Sequence, residues 1–334
     1  ILIMKKSFVM AAAAVSMAAF AISCNKSEVA SENITDGKTA EISVRVSSSA
    51  FIGKAALSEN NEQKVNNVQV FVFRGNGELD AYASSDTKAD IKLSCTTGSK
   101  IVKAVVNAPD LSSISKMKDL NSSITSLTDN SLTNFVMTGS DNIDLNTDQT
   151  LTVFVSRVAA RIAIEKVSVN FTSQAYRNMD LKIHRIYAVN VAGNTSYDLS
   201  AAPTVWHNQK ALQTGAPDAM LMDDVADVTV TEEKPYTTGS YFYVYPNKVS
   251  EEPQDEAASA RPTRIVVETI LGETTYYYPI TIGNIAANTK YTISNLTITR
   301  PGSLDPDIPV TSKECSFTIS VNNWSEGPTE NVTI

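Results

Sequence analysis

The sequence predicts an all-β protein. Three observations predict it: short runs in which apolar and polar residues alternate, turn residues between those runs, and only one segment with helical spacing. Ile42, Val44 and Val46 alternate with Glu41, Ser43 and Arg45, the pattern of a half-buried strand. Ser47 to Gln63 is small and polar and reads as a loop. A second strand near Val65 to Phe73 turns at Gly75-Asn76-Gly77, a hairpin signal. Ile91 to Ser94 and Ile101 to Val106 are further short strands. Leu111, Ile114, Met117, Leu120, Ile124 and Leu127 then recur at three- and four-residue steps, which predicts a helix packed across the side of the sheets.

Strand signals resume at Leu151 to Val155 and run on through Val158, Ala160, Ile162 and Ile164. Later ones lie near Leu181 to Val191, Tyr241 to Tyr245, Arg264 to Leu271, Thr275 to Ile282, Lys290 to Ile298 and Ser316 to Val321. Short strands punctuated by turns indicate β-sandwiches. Ser250 to Pro262 is acidic and reads as an exposed loop. Pro301 to Pro309 holds three prolines and a glycine, which rule out regular structure and set off a final segment.

The N-terminal residues bear on export. Ile1 to Ile3 precede Met4, which is read as the start. Lys5 and Lys6 form a basic region, Phe8 to Ile22 an alanine-rich apolar run, and Ala21-Ile22-Ser23-Cys24 a closing sequence of small residues. This is a secretory signal rather than a spanning helix, because the run is shorter than the ~20 residues that a bilayer requires. Cys24 at the cut reads as a lipidation site, with Ala21 where a leucine is usual. Asn25 to Lys38 is too polar to fold and reads as a tether. The expected partition is therefore 1–24 signal and lipidation site, 25–38 tether, 39–155 a first sandwich carrying the short helix, and 156–334 a second sandwich, divided near Ser156.

Composition excludes several functions. The net charge of −8, with no basic stripe, argues against nucleic acid as a partner. Of three cysteines, Cys95 and Cys315 remain after Cys24. They form either a disulfide or two buried thiols, and their wide separation favours thiols. His184 and His207 lack a nucleophile in a suitable turn, and Asp223-Asp224 and Glu232-Glu233 point to opposite faces if on strands. The 13 glycines form no phosphate loop. The expectation is a protein with no catalytic residues, no cofactor and no metal. The tyrosines at Tyr241, Tyr243, Tyr245 and Tyr276 to Tyr278 read as partly buried strand residues, with sugar stacking as the sharper alternative.

Several pieces together resemble the major fimbrial subunit family of Bacteroidetes, the FimA-like type V pilus proteins. They are Met4-Lys5-Lys6, Ser23-Cys24-Asn25-Lys26, Ala40 to Val44 followed by Ala50-Phe51, and Phe135 to Thr138. Further along come Ser156 to Ala163, Thr275 to Pro279, Leu296 to Thr299, and Val321-Asn322-Asn323-Trp324. Their order along the chain carries the resemblance. It implies two tandem transthyretin-like β-sandwiches. It also implies export as an outer-membrane lipoprotein precursor, cleavage of the loop after the first strand by a trypsin-like protease, and loss of that strand. The groove left behind would be filled by a C-terminal strand of the next subunit, another copy or a related pilus subunit, to build a fimbrium at the cell surface.

The residues fit such a scheme. Ile42, Val44 and Val46 at about 1.5–3 kcal/mol each contribute on the order of 5–9 kcal/mol. A domain is stable by only ~5–15 kcal/mol. Phe317, Ile319 and Val321 alternate with Ser316, Thr318 and Ser320 beyond the Pro/Gly loop. They read either as a donor strand on a flexible arm or as an ordinary edge strand. At the cleavage loop the sequence departs from the family: Ser49, not arginine, precedes Ala50-Phe51. The candidate cut sites are Lys54, in the accessible loop, and Arg45, inside the strand. The alternative function is a non-polymerising surface lipoprotein that binds glycan, or a host or bacterial surface ligand, through its loops.

Overall fold

The computed structural model describes residues 38–48, 61–87, 90–214, 218–255 and 257–324, with the backbone of 330–333. The signal, Cys24, most of the tether and Lys54 lie outside the described residues. The described residues form one compact unit.

Strands β1 (Thr39–Ser48), β2 (Val68–Arg74), β3 (Leu79–Ser85), β4 (Ile91–Thr96) and β5 (Gly98–Val106) come first. After helix α1 (Met117–Ser122) and β6 (Ile124–Ser126) come β7 (Met137–Leu145) and β8 (Gln149–Arg157). All but β6 join one sheet in the order β3-β2-β5-β7-β8-β1-β4. Its two outer strands meet. The Thr96 amide and hydroxyl both donate to Asp80 Oδ2 at 2.9 Å, so β4 is fastened to β3 and the sheet curls over its own interior. Ile42, Val44, Val46, Val70, Val72, Leu93, Val102 and Val153 fill that interior.

Strand β2 is buried on both faces, which explains its apolar run Val70-Phe71-Val72-Phe73. Alternation sends Val70 and Val72 into the curled sheet and Phe71 and Phe73 to the other side. There they join a second core with Leu120 of α1 and residues from the rest of the chain. Close approach also shapes the sheet. A Cβ on Gly139 of β7 would fall 2.1 Å from the carbonyl oxygen of Phe154 in β8, so only glycine fits.

The remaining strands begin with β9 (Ala160–Ile164), β10 (Lys166–Val169), β11 (Leu181–Val189), β12 (Val191–Ala192), β13 (Asn194–Ser196) and β14 (Trp206–His207). They continue with β15 (Met222–Val230), β16 (Tyr236–Thr237), β17 (Tyr241–Val244), β18 (Thr263–Leu271), β19 (Thr274–Ile282) and β20 (Thr289–Ile293). The last are β21 (Leu296–Ile298), β22 (Cys315–Ser316), β23 (Thr318–Asn323) and β24 (Glu330–Thr333). Their main sheets run β16-β10-β21-β22, β15-β11-β18-β19 and β17-β9-β20-β23-β24. The all-β expectation is borne out, and the expected strands lie at or near their positions.

The helix is shorter than its periodicity predicted. Within that segment the α-helix is confined to Met117–Ser122, and the Ser123 amide closes it on the carbonyls of Asp119 and Leu120. The chain then extends, and Ile124 to Ser126 pair with Ser196 to Asn194. Leu120 and Leu127 still reach the core, but Ile124 is exposed. Serines at 122 and 123 are poor helix interior residues, and a tertiary strand pairing takes over the register they weaken.

Candidate functional site

The first strand lies inside its sheet. Thr39–Val44 pair antiparallel with Ile91–Thr96 of β4, and Ile42–Ser48 pair parallel with Gln149–Val155 of β8. Ile42 and Val44 are wholly buried, and Val46 nearly so. The opposite face is polar: Arg45 Nη2 reaches Asp90 Oδ2 at 2.8 Å, and Lys92 Nζ reaches Glu41 Oε1 at 2.7 Å. Arg45 is thus exposed as a side chain, while its backbone belongs to a strand paired on both sides. A protease would have to open that ladder to reach it. Loss of β1 would remove one neighbour from β4 and one from β8.

The candidate donor segment has a place of its own. β23 lies between β20 and β24, with Ile319 opposite Ile293 and Val321 opposite Tyr291. Ile319 is buried; Phe317 and Val321 are partly buried against the larger core. In this chain the segment is a strand of its own sheet.

The loop before it is fastened by charge pairs and hydrogen bonds. The Arg264 guanidinium is fully buried on β18 and contacts both Asp307 and Glu252. Arg261 Nη1 adds a contact to Asp307 at 3.2 Å, and Asn190 Nδ2 donates to Asp307 Oδ1 at 3.1 Å. Tyr278 Oη donates to the carbonyl of Arg300, and Ser303 and Tyr277 exchange backbone bonds. Prolines prevent regular structure here, but charge pairing to a buried guanidinium supplies the order. The acidic loop 250–262 is mostly exposed, as expected, and takes part through Glu252.

Near the junction, a cluster centres on Glu62, close to the start of the described segment 61–87. The Glu62 side chain is wholly buried. Tyr243 Oη donates to its Oε1 at 2.6 Å and Trp324 Nε1 to its Oε2 at 2.9 Å. Arg161 Nη1 lies 3.4 Å from Oε1. Arg157, at the end of β8, donates Nε to the Glu62 carbonyl at 3.0 Å and lies over the Trp324 ring, 4.6 Å from its centroid. Burial and the bond to Glu62 both push the Tyr243 phenol far above its ordinary range. A buried carboxylate persists only with such partners. Sequence reading missed Glu62: an acid in a polar stretch that also holds Glu59 gives no signal.

The tyrosines follow the partly buried reading. Tyr245 donates to the Ser126 carbonyl at 2.8 Å and accepts from Asn130 Nδ2 at 2.7 Å, tying β17's end to the segment after α1. Tyr241, Tyr276 and Tyr277 are half-buried. Cys95 and Cys315 are buried free thiols, so the thiol reading holds. His184 Nδ1 lies 2.7 Å from Asp227 Oδ1, at a bulge where Ala226 and Asp227 both take positive φ. Among the described residues no group of acidic, histidine or cysteine side chains could hold a metal, and no helix is long and apolar enough to cross a membrane.

Comparison with known proteins follows this geometry. Residues 40–154 match the family model of the major fimbrial subunit protein (FimA). None of the curated proteins compared matches the sequence. Among solved structures, a proposed cell adhesion protein from Bacteroides eggerthii is 20% identical, with a TM-score of 0.66 over 87% of this chain and 98% of its own. A fimbrilin from Porphyromonas gingivalis is 18% identical, with a TM-score of 0.64 over 85% of this chain and 97% of its own. The tip fimbrial protein Mfa3 of the same organism, C-terminally truncated, is 13% identical, with a TM-score of 0.53 over 86% and 100%. The resemblance read from the sequence is therefore borne out: by the major fimbrial subunit model across the curled first sheet, and by fold across most of the chain.

Proposed function

We propose that this chain is a structural subunit of a fimbrium, joined to other copies or related pilus subunits at the cell surface. In this reading it is exported as an outer-membrane lipoprotein precursor on Cys24, and the loop after β1 is cut, with Lys54 the favoured site. β1 leaves and a C-terminal strand containing Phe317, Ile319 and Val321 from the next subunit takes its place. The division near Ser156 into two transthyretin-like sandwiches, 39–155 and 156–334, belongs to the same proposal. Sheet membership changes between β8 and β9, which supports it.

The observation that carries the reading is the position of β1. It is the first strand in sequence, yet it sits between two others with Ile42 and Val44 wholly buried. A strand so placed can be exchanged only for another with the same alternation, and that is β-augmentation. The experiment is limited trypsin treatment of the purified precursor, followed by electrophoresis after mild detergent. Detergent-resistant ladders are the expected result. A protein that loses its N-terminal segment and stays monomeric at high concentration overturns the proposal. Deleting the residues after Lys313 should abolish the ladder.

One residue favours a second reading. Ser49 precedes Ala50-Phe51, where the resemblance implies an arginine. If the loop is never cut, the chain is a permanently lipid-anchored surface protein that binds glycan or a surface protein without polymerising. Mass measurement of the protein from native cells separates the two: an N-terminus at lipidated Cys24 against one near Ala55.

A further inference from the structure

The carboxylate of Glu62 links the loop expected to be cut to the end of the candidate donor strand. It sits at the end of the loop expected to be cut, Ser47 to Gln63. It also holds Trp324, the residue that follows β23. The Trp324 ring is stacked on Tyr243, with centroids 5.8 Å apart and planes 6° from parallel, and meets Phe135 edge-on at 5.5 Å. The Trp324 amide donates to the Asn288 carbonyl at 2.8 Å. Arg157 completes the arrangement from β8, the strand that pairs with β1, by touching both the Glu62 backbone and the Trp324 ring. The end of the loop, the neighbour of the departing strand and the end of the candidate donor strand therefore meet at one buried acid.

We infer that Glu62 is a latch that keeps β23 in its own sheet while the loop is intact, and that loosening it is what frees the strand for another copy of this chain. The inference rests on the strand-exchange reading above. Its physical basis is the position of Glu62 in the chain. While the loop is continuous, Glu62 is far from any chain end, and its carboxylate is dry and partnered by Tyr243, Trp324 and Arg161. Once the chain is cut upstream, Glu62 lies near a new terminus, and termini fray. A carboxylate that reaches water has no reason to return to a dry site. Trp324 Nε1 then loses its acceptor, and a buried donor without a partner favours opening.

The test is hydrogen–deuterium exchange on the full, uncut protein and three variants, Glu62→Gln, Glu62→Ala and Trp324→Phe. Gln keeps an acceptor for the indole, and Phe keeps the stacking while removing the N–H. Exchange at residues 318–323 should rise about 10-fold or more in Glu62→Ala and Trp324→Phe, and less in Glu62→Gln. Residues 42–46 and 70–72 should be unchanged. Wild-type protein with the loop cut should show the same rise at 318–323. Unaltered exchange there, or a rise shared equally with residues 42–46 and 70–72, overturns the latch. This readout needs no polymer. Absence of ladders after cleavage would sink the fimbrial reading alone, and ladders alongside unaltered exchange would sink the latch alone.

Discussion

Lys100 Nζ lies 3.0 Å from Asp80 Oδ2, and both side chains are almost wholly enclosed. The pair bridges β3 and β5, and Asp80 also receives Thr96 of β4 and Arg74 of β2. One carboxylate thus holds the curl of the first sheet.

Burial by itself would raise the Asp80 pKa, but the bonds from Lys100, Thr96 and Arg74 outweigh it and leave the carboxyl below its ordinary range. The folded protein therefore binds this proton less readily than the unfolded chain. The stabilisation is present above the unfolded carboxylate value of ~3.9 and is lost as pH falls through the lower folded value. Lys100→Met leaves a buried charge without its main partner and should cost about 3 kcal/mol at neutral pH. Urea unfolding at pH 7 and pH 3 checks both points: the variant should lose stability at pH 7 and show a shallower further loss in acid.

Ile42 and Arg45 sit on opposite faces of β1 and should behave differently. Ile42→Ala opens a cavity in a filled interior and should cost about 2–4 kcal/mol. Arg45→Ala removes an exposed ion pair with Asp90 and should leave the unfolding midpoint unchanged. Denaturant titration of the two variants decides it.

Gly139→Ala places a methyl group against the Phe154 carbonyl. β7 and β8 must separate to admit it, at about 1–3 kcal/mol. A thermal melt should show the loss, and exchange protection should fall first at residues 137–138 and 156–157, where the two strands pair.

Burial pushes the Cys95 thiol up to about 11, with Asp80 adding to the rise and Lys100 opposing it, and the Cys315 thiol to about 12. Neither is a thiolate at neutral pH. A thiol reagent at pH 8 should label neither residue in the folded protein and both in denaturant. Reduction should not change their mass. Labelling of either thiol in the native state would contradict the enclosed geometry.

Alternation within the chain was enough to place much of the strand framework. Val44 and Ile42 face one way and Arg45 the other because a strand repeats every two residues, and nothing distant is needed to know it. The Gly75-Asn76-Gly77 hairpin is equally local. Strands such as β7 were not legible. Met137–Leu145 is largely polar and exposed, and only pairing with β5 makes it a strand. α1 failed in the opposite direction, since Leu111 to Leu127 carry helical spacing while the pairing of β6 with β13 claims part of them.

Sequence by itself determined the all-β class, the two faces of the first strand, the resemblance to fimbrial subunits and the candidate segments for cleavage and exchange. These rest on spacing and residue type, which are local quantities. Tertiary structure alone decided that β1 lies between β4 and β8, that Asp307 fastens the Pro/Gly loop to Arg264, and that Glu62 meets Trp324 across 262 residues. Charge pairing between distant segments follows from how the sheets stack, and a single acid in a polar loop looks the same whether water or an indole will be its partner.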